Sequence, residues 1–158
     1  MKVSDVMTKQ VFCVGCEKSL NDAAQLMWDH NCGSIPVVDE DNMVVAMVTD
    51  RDIAMAAYLN GNRLADIPLA DVQSQQLVCC KADDDISEVQ DLMQVHQLHR
   101  IPVIDDQSKP LGIVSLNDLA LACKSGGRGI KAKDISDTVA AICGRMREQN
   151  AASEVVAA

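Results

Sequence analysis

The hydrophobic and polar positions of the first sixty residues change repeatedly between two periodicities. Three short, nearly continuous apolar runs are typical of buried strands, and two stretches with apolar residues at helical spacing predict helices. Ser19 is placed to cap the first helix, because its hydroxyl can accept a free N–H of the first turn. The strands are expected at residues 10–14, 35–38 and 43–48, and the helices at residues 20–31 and 50–59. The predicted order is strand, helix, strand, strand, helix (βαββα).

The same pattern returns 66 positions later. Asp5-Val6 recurs as Asp71-Val72, Ile35-Pro36-Val37 recurs as Ile101-Pro102-Val103, and residues 3–58 pair with residues 69–124 without an insertion. In the second copy, strands are expected at residues 76–80, 101–104 and 111–114, and helices at residues 86–97 and 116–123. An internal repeat constrains the architecture before any single residue does. Two copies of a unit that cannot bury its own apolar face predict an α+β pair related by a pseudo-twofold axis, with a ligand site at the seam.

This repeat predicts the domain organisation. We expect one unit over residues 1–61, a second over residues 68–124, and a separate tail over residues 125–158. The tail opens with a Gly-rich break at residues 124–129, and an amphipathic helix follows. Its apolar stripe is expected to pack against one of the units, of this chain or of a partner, and the residues from 150 onward to be frayed. The stripe consists of Ile135, Val139, Ile142 and Met146.

Composition and charge exclude several classes of function. Of the 158 residues, 48% are hydrophobic and only 2% are aromatic, so the core must consist of Val, Ile, Leu, Met and Ala. The formal net charge of -9 argues against binding to a nucleic acid polymer or to an anionic membrane, since both require clustered cations. A small anionic ligand is still compatible with this charge, because backbone N–H groups and one or two cations suffice to hold it.

The chain lacks the sequence signals of export. No apolar run approaches the roughly 18 residues that a membrane span needs, and the first residues contain no hydrophobic signal region. The 7 cysteines are scattered along the chain. We therefore expect a cytoplasmic protein with reduced thiols.

One motif occurs at the end of the third strand in each copy. A hydroxyl residue is followed three positions later by an aspartate, as Thr49 and Asp52 in the first copy and as Ser115 and Asp118 in the second. One interpretation is a capping box that satisfies the free N–H groups of the first helical turn. The other is that the carboxylate accepts the hydroxyls of a ribose, while the helix N-terminus favours a phosphate nearby. The two interpretations are compatible, because the hydroxyl can cap while the carboxylate points outward.

At this point the sequence resembles a known family. The strand Ile35-Pro36-Val37-Val38-Asp39, a short turn, and then Val48-Thr49-Asp50-Arg51-Asp52-Ile53 are similar to the CBS domain family. The segment from His99 to Asp105 is similar to the version in adenine-nucleotide-sensing members, such as the gamma subunit of AMP-activated protein kinase. The resemblance covers residues 1–124 in two complete copies of one register.

The resemblance implies a regulatory module rather than an enzyme. CBS units occur in tandem and bind adenosyl ligands in two clefts: AMP, ADP or ATP, with S-adenosylmethionine or NAD as further members of the class. The expected mode of action is a change of conformation or dimer arrangement that modulates a regulated partner protein. A homodimer is expected through small or apolar residues of the terminal helices, namely Ala54, Ala56, Tyr58, Ala120, Leu121 and Ala122.

The resemblance also assigns site residues. The ribose is expected at Asp52 with Thr49 in one cleft, and at Asp118 with Ser115 in the other. Phosphate is expected at Ser34 in the first copy and at Arg100, flanked by His99, in the second. Arg51 is a further cation in the first cleft, and Asn117 takes its place in the second. Adenine is expected against Val11, Phe12, Cys13, Ile35, Leu77, Val78, Cys79 and Ile101.

The two clefts are not expected to be equivalent. A glycine commonly opens the third strand in this family, and Gly112 matches that pattern whereas Ala46 does not. Asn117 also carries no charge, in contrast to Arg51. We therefore expect the two clefts to differ in affinity.

The cysteines offer an alternative function from a different class. Cys13-x-x-Cys16, together with Cys79 and Cys80, is compatible with a redox- or metal-responsive protein. Against this, no second Cys-x-x-Cys is present, and Cys13 recurs as Cys79, which marks a strand position of the repeat. Buried, inert thiols are the interpretation that the pattern favours. No Walker-type phosphate loop and no recognisable nucleophile with its base are seen.

Overall fold

The protein is described by a computed structural model that covers residues 1–72, 77–125 and 129–154, with side chains as far as residue 144. The chain forms two compact bodies. The first body consists of Gln10–Leu77 and Ile104–Leu111, and the second body of Met1–Lys9, Val78–Val103 and Gly112–Ala158. The leading nine residues therefore belong to the body that holds most of the second repeat. The predicted unit boundaries at residues 61 and 68 stay a prediction.

The first repeat has the predicted order of elements. Strand β2 pairs in parallel with β1 and antiparallel with β3, so that β2 is central in a three-stranded sheet. The strand predicted at residues 10–14 is shorter than expected, because only Val14 among them is fully buried and joins the sheet. The elements are β1 (Val14–Gly15), α1 (Leu20–Asp29), β2 (Ser34–Val38), β3 (Val44–Thr49) and α2 (Asp50–Asn60).

The second repeat copies this arrangement. Its sheet has the strand order β4-β5-β6, again with the central strand carrying the Ile-Pro-Val sequence. The predicted strand at residues 76–80 is reduced to two residues, and residue 76 lies outside the described part. The elements are β4 (Cys80–Lys81), α3 (Ile86–His96), β5 (Arg100–Ile104), β6 (Pro110–Ser115) and α4 (Leu116–Lys124). The predicted fold class of two βαββα units with a C-terminal helix is confirmed.

Local sequence sets the ends of these helices. Ser19 caps α1 as predicted, since its Oγ accepts from the backbone N–H of Asp22 at 3.4 Å, and the Asp22 carboxylate accepts from the Ser19 N–H at 2.9 Å. Helix α2 ends at Gly61, whose φ of 64° lies in the left-handed region that favours glycine. Ser19 therefore fixes the start of α1, and Gly61 fixes the end of α2.

The segment that leads into each repeat completes the hydrophobic core of the other. Val3, in a 3-10 turn over Val3–Asp5, is buried in the core of the second body, and its N–H donates to the carbonyl of Asp84 at 3.0 Å. Leu69, at the equivalent position before the second repeat, is buried in the core of the first body, and its N–H donates to the carbonyl of Lys18 at 3.0 Å. Neither core is therefore built from one repeat alone.

Helix α5 (Ala132–Glu154) packs against α3 and α4 within the second body. Ile142 is buried in the core of the second body and Ile135 packs against it, as predicted, but Val139 is 39% exposed. The middle position of the buried stripe is taken by Thr138, whose hydroxyl donates to the carbonyl of Asp134 at 2.8 Å. Met146 lies outside the residues whose side chains are described.

Two further predictions concern the tail. The predicted break at residues 124–129 falls partly outside the described residues, which omit 126–128. Helix α5 ends at Glu154 and residues 155–158 are outside the described part, so the fraying expected from residue 150 stays a prediction. Across the described residues, none of the helices combines the length and the hydrophobicity that a membrane span requires.

Candidate functional site

The junction of β3 and α2 holds the first hydroxyl–carboxylate motif. The Asp52 Oδ2 accepts from the backbone N–H of Thr49 at 2.9 Å and from its hydroxyl at 2.6 Å, and the Asp52 N–H donates to the Thr49 Oγ1 at 3.2 Å. Both side chains are half-buried. The capping interpretation is thus confirmed here, and it engages only one of the two carboxylate oxygens.

The junction of β6 and α4 repeats this geometry. The Asp118 Oδ2 accepts from the backbone N–H of Ser115 at 2.8 Å and from its hydroxyl at 2.5 Å, and the Asp118 N–H donates to the Ser115 Oγ at 3.3 Å. The same box therefore closes both helices. In each case the cap fixes the carboxylate at the helix N-terminus, where backbone N–H groups and the helix dipole favour negative charge.

Thr8 is a member of the second site that the sequence prediction missed. Its hydroxyl donates to the Asp118 Oδ1 at 3.0 Å, so that both oxygens of this carboxylate are engaged. Thr8 is held there by two backbone hydrogen bonds with Ile113, each of 2.9 Å. A signal was present in the sequence, because the repeat register pairs Thr8 with Ser74, a second hydroxyl residue. Ser74 lies outside the described residues.

Gly112 makes this approach feasible. A Cβ at position 112 would lie 2.6 Å from the carbonyl oxygen of Thr8, which is closer than side-chain carbons pack against backbone. Gly112, the glycine that the sequence analysis noted in the third strand, is therefore needed because a side chain there would clash with the backbone of Thr8. Ala46, at the same position of the first repeat, is buried.

The two carboxylates consequently differ in their surroundings. The Asp118 Oδ1 is occupied by Thr8, whereas the Asp52 Oδ1 accepts no hydrogen bond from the residues that the structure describes. Among the described residues, then, no protein group holds the Asp52 Oδ1, whereas Thr8 holds the equivalent oxygen of Asp118. The predicted difference in affinity between the clefts stays a prediction.

Ser34 lies beside the first motif with a buried, unsatisfied hydroxyl. It pairs with Thr49 in the register of β2 and β3, and only 4% of its surface is exposed. Its Oγ has no hydrogen-bond partner among the described residues. Because buried hydroxyls are normally hydrogen-bonded, this atom marks a place where a ligand or a water would be stabilised.

The cations assigned by resemblance are available to an anion. Arg100 begins β5 and is half-buried, while His99 and Arg51 are exposed. Neither guanidinium forms an ion pair within the described ranges. Asn117, the counterpart of Arg51, is exposed on the first turn of α4. Guanidinium groups without a carboxylate partner are suited to phosphate, which they bind with paired hydrogen bonds.

The residues assigned to adenine fall into two groups. Ile35 and Ile101 are fully buried members of the two cores. The others precede the short first strands and are half-buried, so they present surface that a base could contact. They are Val11, Phe12 and Cys13 before β1, and Leu77, Val78 and Cys79 before β4.

Two contacts around β1 were not predicted. The ring of Phe12 stacks on the imidazole of His30, with centroids 3.4 Å apart and an angle of 6° between the planes. Cys13 lines a cavity of about 300 Å³ that is completed by α1 residues such as Gln25 and Asp29. This cavity does not include Thr49 or Asp52, so the structure does not join Cys13 to the carboxylate motif in one cavity.

Burial raises the pKa of three cysteine thiols at the short first strands of the two repeats. Burial raises the pKa of Cys13 and Cys79 to about 11, and burial together with the nearby Asp84 raises that of Cys80 to about 12. A thiol with such a pKa is neutral at pH 7, whereas nucleophiles and metal ligands are thiolates. Within the part of the chain that is described, no group of three or more His, Cys, Asp or Glu side chains is arranged to hold a metal ion.

Comparison with known proteins links the two repeats to one family. The model of the CBS domain family matches residues 3–58 and residues 69–125. The chain is 40% identical over 119 residues to the CBS domain-containing protein YhcV of Bacillus subtilis, across 75% of this chain and 83% of YhcV.

Two solved structures share the fold at the level of the whole repeat pair. Hypoxic Response Protein I with two coordinated zinc ions is 30% identical, with a TM-score of 0.70 and coverage of 77% of this chain and 98% of that one. The CBS domain pair of protein MJ0100, in complex with 5-methylthioadenosine and S-adenosyl-L-methionine, is 25% identical, with a TM-score of 0.70 and the same coverage.

Proposed function

The chain belongs to the CBS domain family, and from this membership we propose that it is a regulatory module that binds an adenosyl ligand of the AMP, ADP or ATP type. Binding would change the conformation or the dimer arrangement and so modulate a partner protein. S-adenosylmethionine and NAD belong to the same chemical class. We propose a binding function and assign no catalytic residue.

One observation carries this proposal. The cap of α2 leaves one oxygen of Asp52 without a hydrogen bond from the described residues, and the buried hydroxyl of Ser34, in register with Thr49, also has no partner there. A ribose offers hydroxyl donors for the carboxylate, and a phosphate or a ribose oxygen offers an acceptor for Ser34. The N-terminus of α2 favours the negative charge of the phosphate.

The second site supports the proposal in a different way. Thr8 and Ser115 hold the Asp118 carboxylate by both oxygens, and Arg100 makes no ion pair within the described residues. The MJ0100 pair binds two adenosyl compounds and has the same fold. A ribose bound at Asp118 would displace the Thr8 hydroxyl from the carboxylate and donate one of its own hydroxyls in its place. This exchange gives a physical reason for the two sites to differ in affinity.

The regulatory effect follows from linkage. A ligand shifts an equilibrium between two conformations only by its difference in affinity for them. A nucleotide that replaces the Thr8 hydroxyl on Asp118 would alter the position of the leading segment, which is a differential contact of this kind. We propose this segment as the part of the molecule that responds to occupancy.

The experiment is titration calorimetry of the whole chain with AMP, ADP, ATP, S-adenosylmethionine, NAD and adenosine, with inorganic phosphate as the control. We expect binding of at least one adenosyl compound and none of phosphate alone. Asp52→Ala and Asp118→Ala should each weaken binding by about 1 to 3 kcal/mol, because ribose hydroxyls are left unpaired.

A matched control separates binding from helix capping. Glu88→Ala removes the carboxylate of the capping box at the start of α3, where Glu88 accepts from the backbone N–H of Asp85 at 3.3 Å, so it should lower stability and leave nucleotide affinity unchanged. Equal losses of affinity in the Glu88, Asp52 and Asp118 variants would show that the loss of affinity comes only from the loss of stability. Unchanged affinity in both the Asp52 and Asp118 variants would contradict the nucleotide site.

A metal-responsive function is the second candidate. The observation in its favour is the pair of zinc ions in Hypoxic Response Protein I, at 30% identity. The raised thiol pKa values and the absence of a three-ligand group among described residues oppose it. Stabilisation by stoichiometric zinc that is lost in a Cys13→Ser, Cys79→Ser variant would favour this candidate over the nucleotide module.

A further inference from the structure

The two hydroxyl–carboxylate sites are built on the same backbone framework. In the first repeat, the N–H of Asp50, the first residue of α2, donates to the carbonyl of Gly33 at 3.1 Å. In the second repeat, the N–H of Leu116, the first residue of α4, donates to the carbonyl of His99, also at 3.1 Å. The residue that opens the central strand therefore lies beside the start of the helix in both repeats, and the side chains at these two positions can be compared directly.

The residue that opens the central strand differs in charge between the two sites. Ser34 is neutral and only 4% exposed, so this position of the first site carries no cation. Arg100 takes the same position in the second site, is half-buried, and forms no ion pair with the residues that are described. A phosphate beside the start of α4 would thus meet a guanidinium, whereas a phosphate beside the start of α2 would meet only a hydroxyl at this position.

The first turns of the two helices add to this difference. Asp50 and Asp52 place two carboxylates on the first turn of α2, and the exposed Arg51 between them offsets one of the two. The first turn of α4 carries a single acidic residue, Asp118, which Arg100 balances. The first site is therefore left with an excess carboxylate, and the second site is neutral.

A phosphate group is sensitive to such an excess of negative charge. It carries a charge of roughly -1.5 to -2 at pH 7. The N-terminus of a helix contributes only about half an elementary positive charge, so the excess carboxylate on α2 outweighs the attraction of that terminus for an anion. A ligand whose 5′ substituent is neutral or positively charged is not repelled in this way.

The first site nevertheless keeps groups that suit a nucleoside. No described residue donates to the Asp52 Oδ1, and a ribose hydroxyl is a donor for it. The buried hydroxyl of Ser34 has no partner in the described part of the chain, and it calls for an acceptor that a ribose oxygen supplies without adding negative charge. Phe12, which stacks on His30, presents half-buried aromatic surface before β1.

We propose that the first site selects an adenosyl compound without a 5′ phosphate, such as adenosine, a 5′-thioadenosine or S-adenosylmethionine, and that the second site takes the phosphorylated ligand. The assignment rests on the proposed function and names the ligand class of each site. The two ligands would bind together rather than in competition, so the module would respond to the levels of two different compounds.

The test is calorimetry of the whole chain with 5′-methylthioadenosine and with AMP, each alone and then in sequence. We expect methylthioadenosine to bind undiminished to wild-type protein whose tighter AMP site is already saturated with AMP. In Asp118→Ala, only the first site keeps its carboxylate, and methylthioadenosine should bind about tenfold more tightly than AMP because the phosphate is repelled. In Asp52→Ala the order should be reversed, since Arg100 is retained.

A second variant tests the charge at the start of α2. Asp50→Asn removes an exposed carboxylate and keeps the oxygen that accepts from the Arg51 N–H at 2.8 Å. In the Asp118→Ala background it should strengthen AMP binding by about threefold and leave methylthioadenosine binding unchanged. Glu40→Gln is the matched control, because Glu40 is equally exposed but lies at the opposite end of the β2–β3 hairpin. It should change either affinity by less than about twofold.

The possible failures can be told apart. Competition between methylthioadenosine and AMP for one site, or tighter binding of AMP than of methylthioadenosine in Asp118→Ala, would overturn the assignment of ligand classes and leave the proposed function standing. Equal effects of Asp50→Asn and Glu40→Gln on AMP binding would overturn it in the same way. A wild-type chain that binds none of the adenosyl compounds would overturn both.

Discussion

At the scale of single residues, the second site depends on a position without a side chain. Gly112 lets the backbone of Thr8 approach β6, and Thr8 in turn reaches Asp118. A residue at the start of the chain is thus placed on a carboxylate that is 110 positions away in the sequence. The capping of α4 is local, but this contact is not.

Replacing Gly112 with Ala is expected to destabilise the protein by about 1 to 3 kcal/mol, because the new methyl group overlaps the Thr8 carbonyl and forces the backbone to shift. Gly144→Ala is the control, because a Cβ there has no neighbour within 4 Å and Ala favours helix by about 1 kcal/mol over Gly. Chemical denaturation measures both. A Gly112→Ala variant as stable as Gly144→Ala would show that the leading segment does not need to lie so close.

Replacing Arg100 with Ala is expected to weaken the binding of AMP much more than the binding of adenosine, since only AMP carries the phosphate that the guanidinium would bind. The loss for AMP should be about 1.5 to 3 kcal/mol, as for a hydrogen bond to a charged group. Calorimetry of this variant with both ligands, beside Arg51→Ala, is the measurement. Equal losses for AMP and adenosine would mean that Arg100 does not contact the phosphate.

The sequence predicts local contacts at this scale and misses distant ones. The boxes at Thr49 and Ser115 could be predicted because hydroxyl and carboxylate are three residues apart on one turn. The stacking of Phe12 on His30 and the bond from Thr8 to Asp118 depend on how elements pack. No periodicity encodes such pairs, although the repeat register marks position 8 as a hydroxyl position.

At the scale of elements, helix α5 shows that a hydrophobic pattern predicts the buried face of a helix only approximately. Ile135 and Ile142 pack on the second body as predicted, but Thr138 takes the buried position assigned to Val139. The exchange is possible because hydrogen bonds with Asp134 and Gln94 satisfy the Thr138 hydroxyl. A polar residue that finds such partners can be buried, and the sequence alone does not show them.

Replacing Ile142 with Asp is expected to destabilise the protein by more than about 3 kcal/mol, because it removes a buried side chain and places a carboxylate in the core. Val139→Asp, on the exposed side of the same helix, should cost much less. Thermal melts of the two variants give the comparison. Similar melting temperatures would show that α5 is not docked by the Ile142 face.

At the scale of the whole molecule, a homodimer is predicted, and one exposed surface suits it. Tyr58 and Leu59 on α2 are 79% and 73% exposed, whereas Ala56, expected on the same surface, is buried. Ala56 is therefore removed from the predicted contact, whereas Tyr58 and Leu121 of the same prediction are exposed, and the dimer itself stays a prediction. Exposed groups of this kind mark interaction surfaces when they are adjacent on a helix.

A dimer is expected in sedimentation experiments at micromolar concentration, and the double variant Tyr58→Glu, Leu59→Glu should shift it to monomer. Trp28→Glu is the control, because Trp28 is 86% exposed on α1, away from α2 in sequence. A wild-type chain that sediments only as a monomer would contradict the prediction. Equal dissociation by the Trp28 variant would place the interface elsewhere.

The exchange of leading segments between the cores has a consequence for biosynthesis. The core of the second body contains Val3 from the first turn of the chain and Ile142 from α5, whereas the buried core of the first body lies within residues 14–69. A ribosome delivers these parts in order, so the second body cannot close before Ile142 has been made. Val3 must therefore wait with its side chain incompletely covered until the second repeat and α5 emerge, a period during which cellular chaperones would have a substrate.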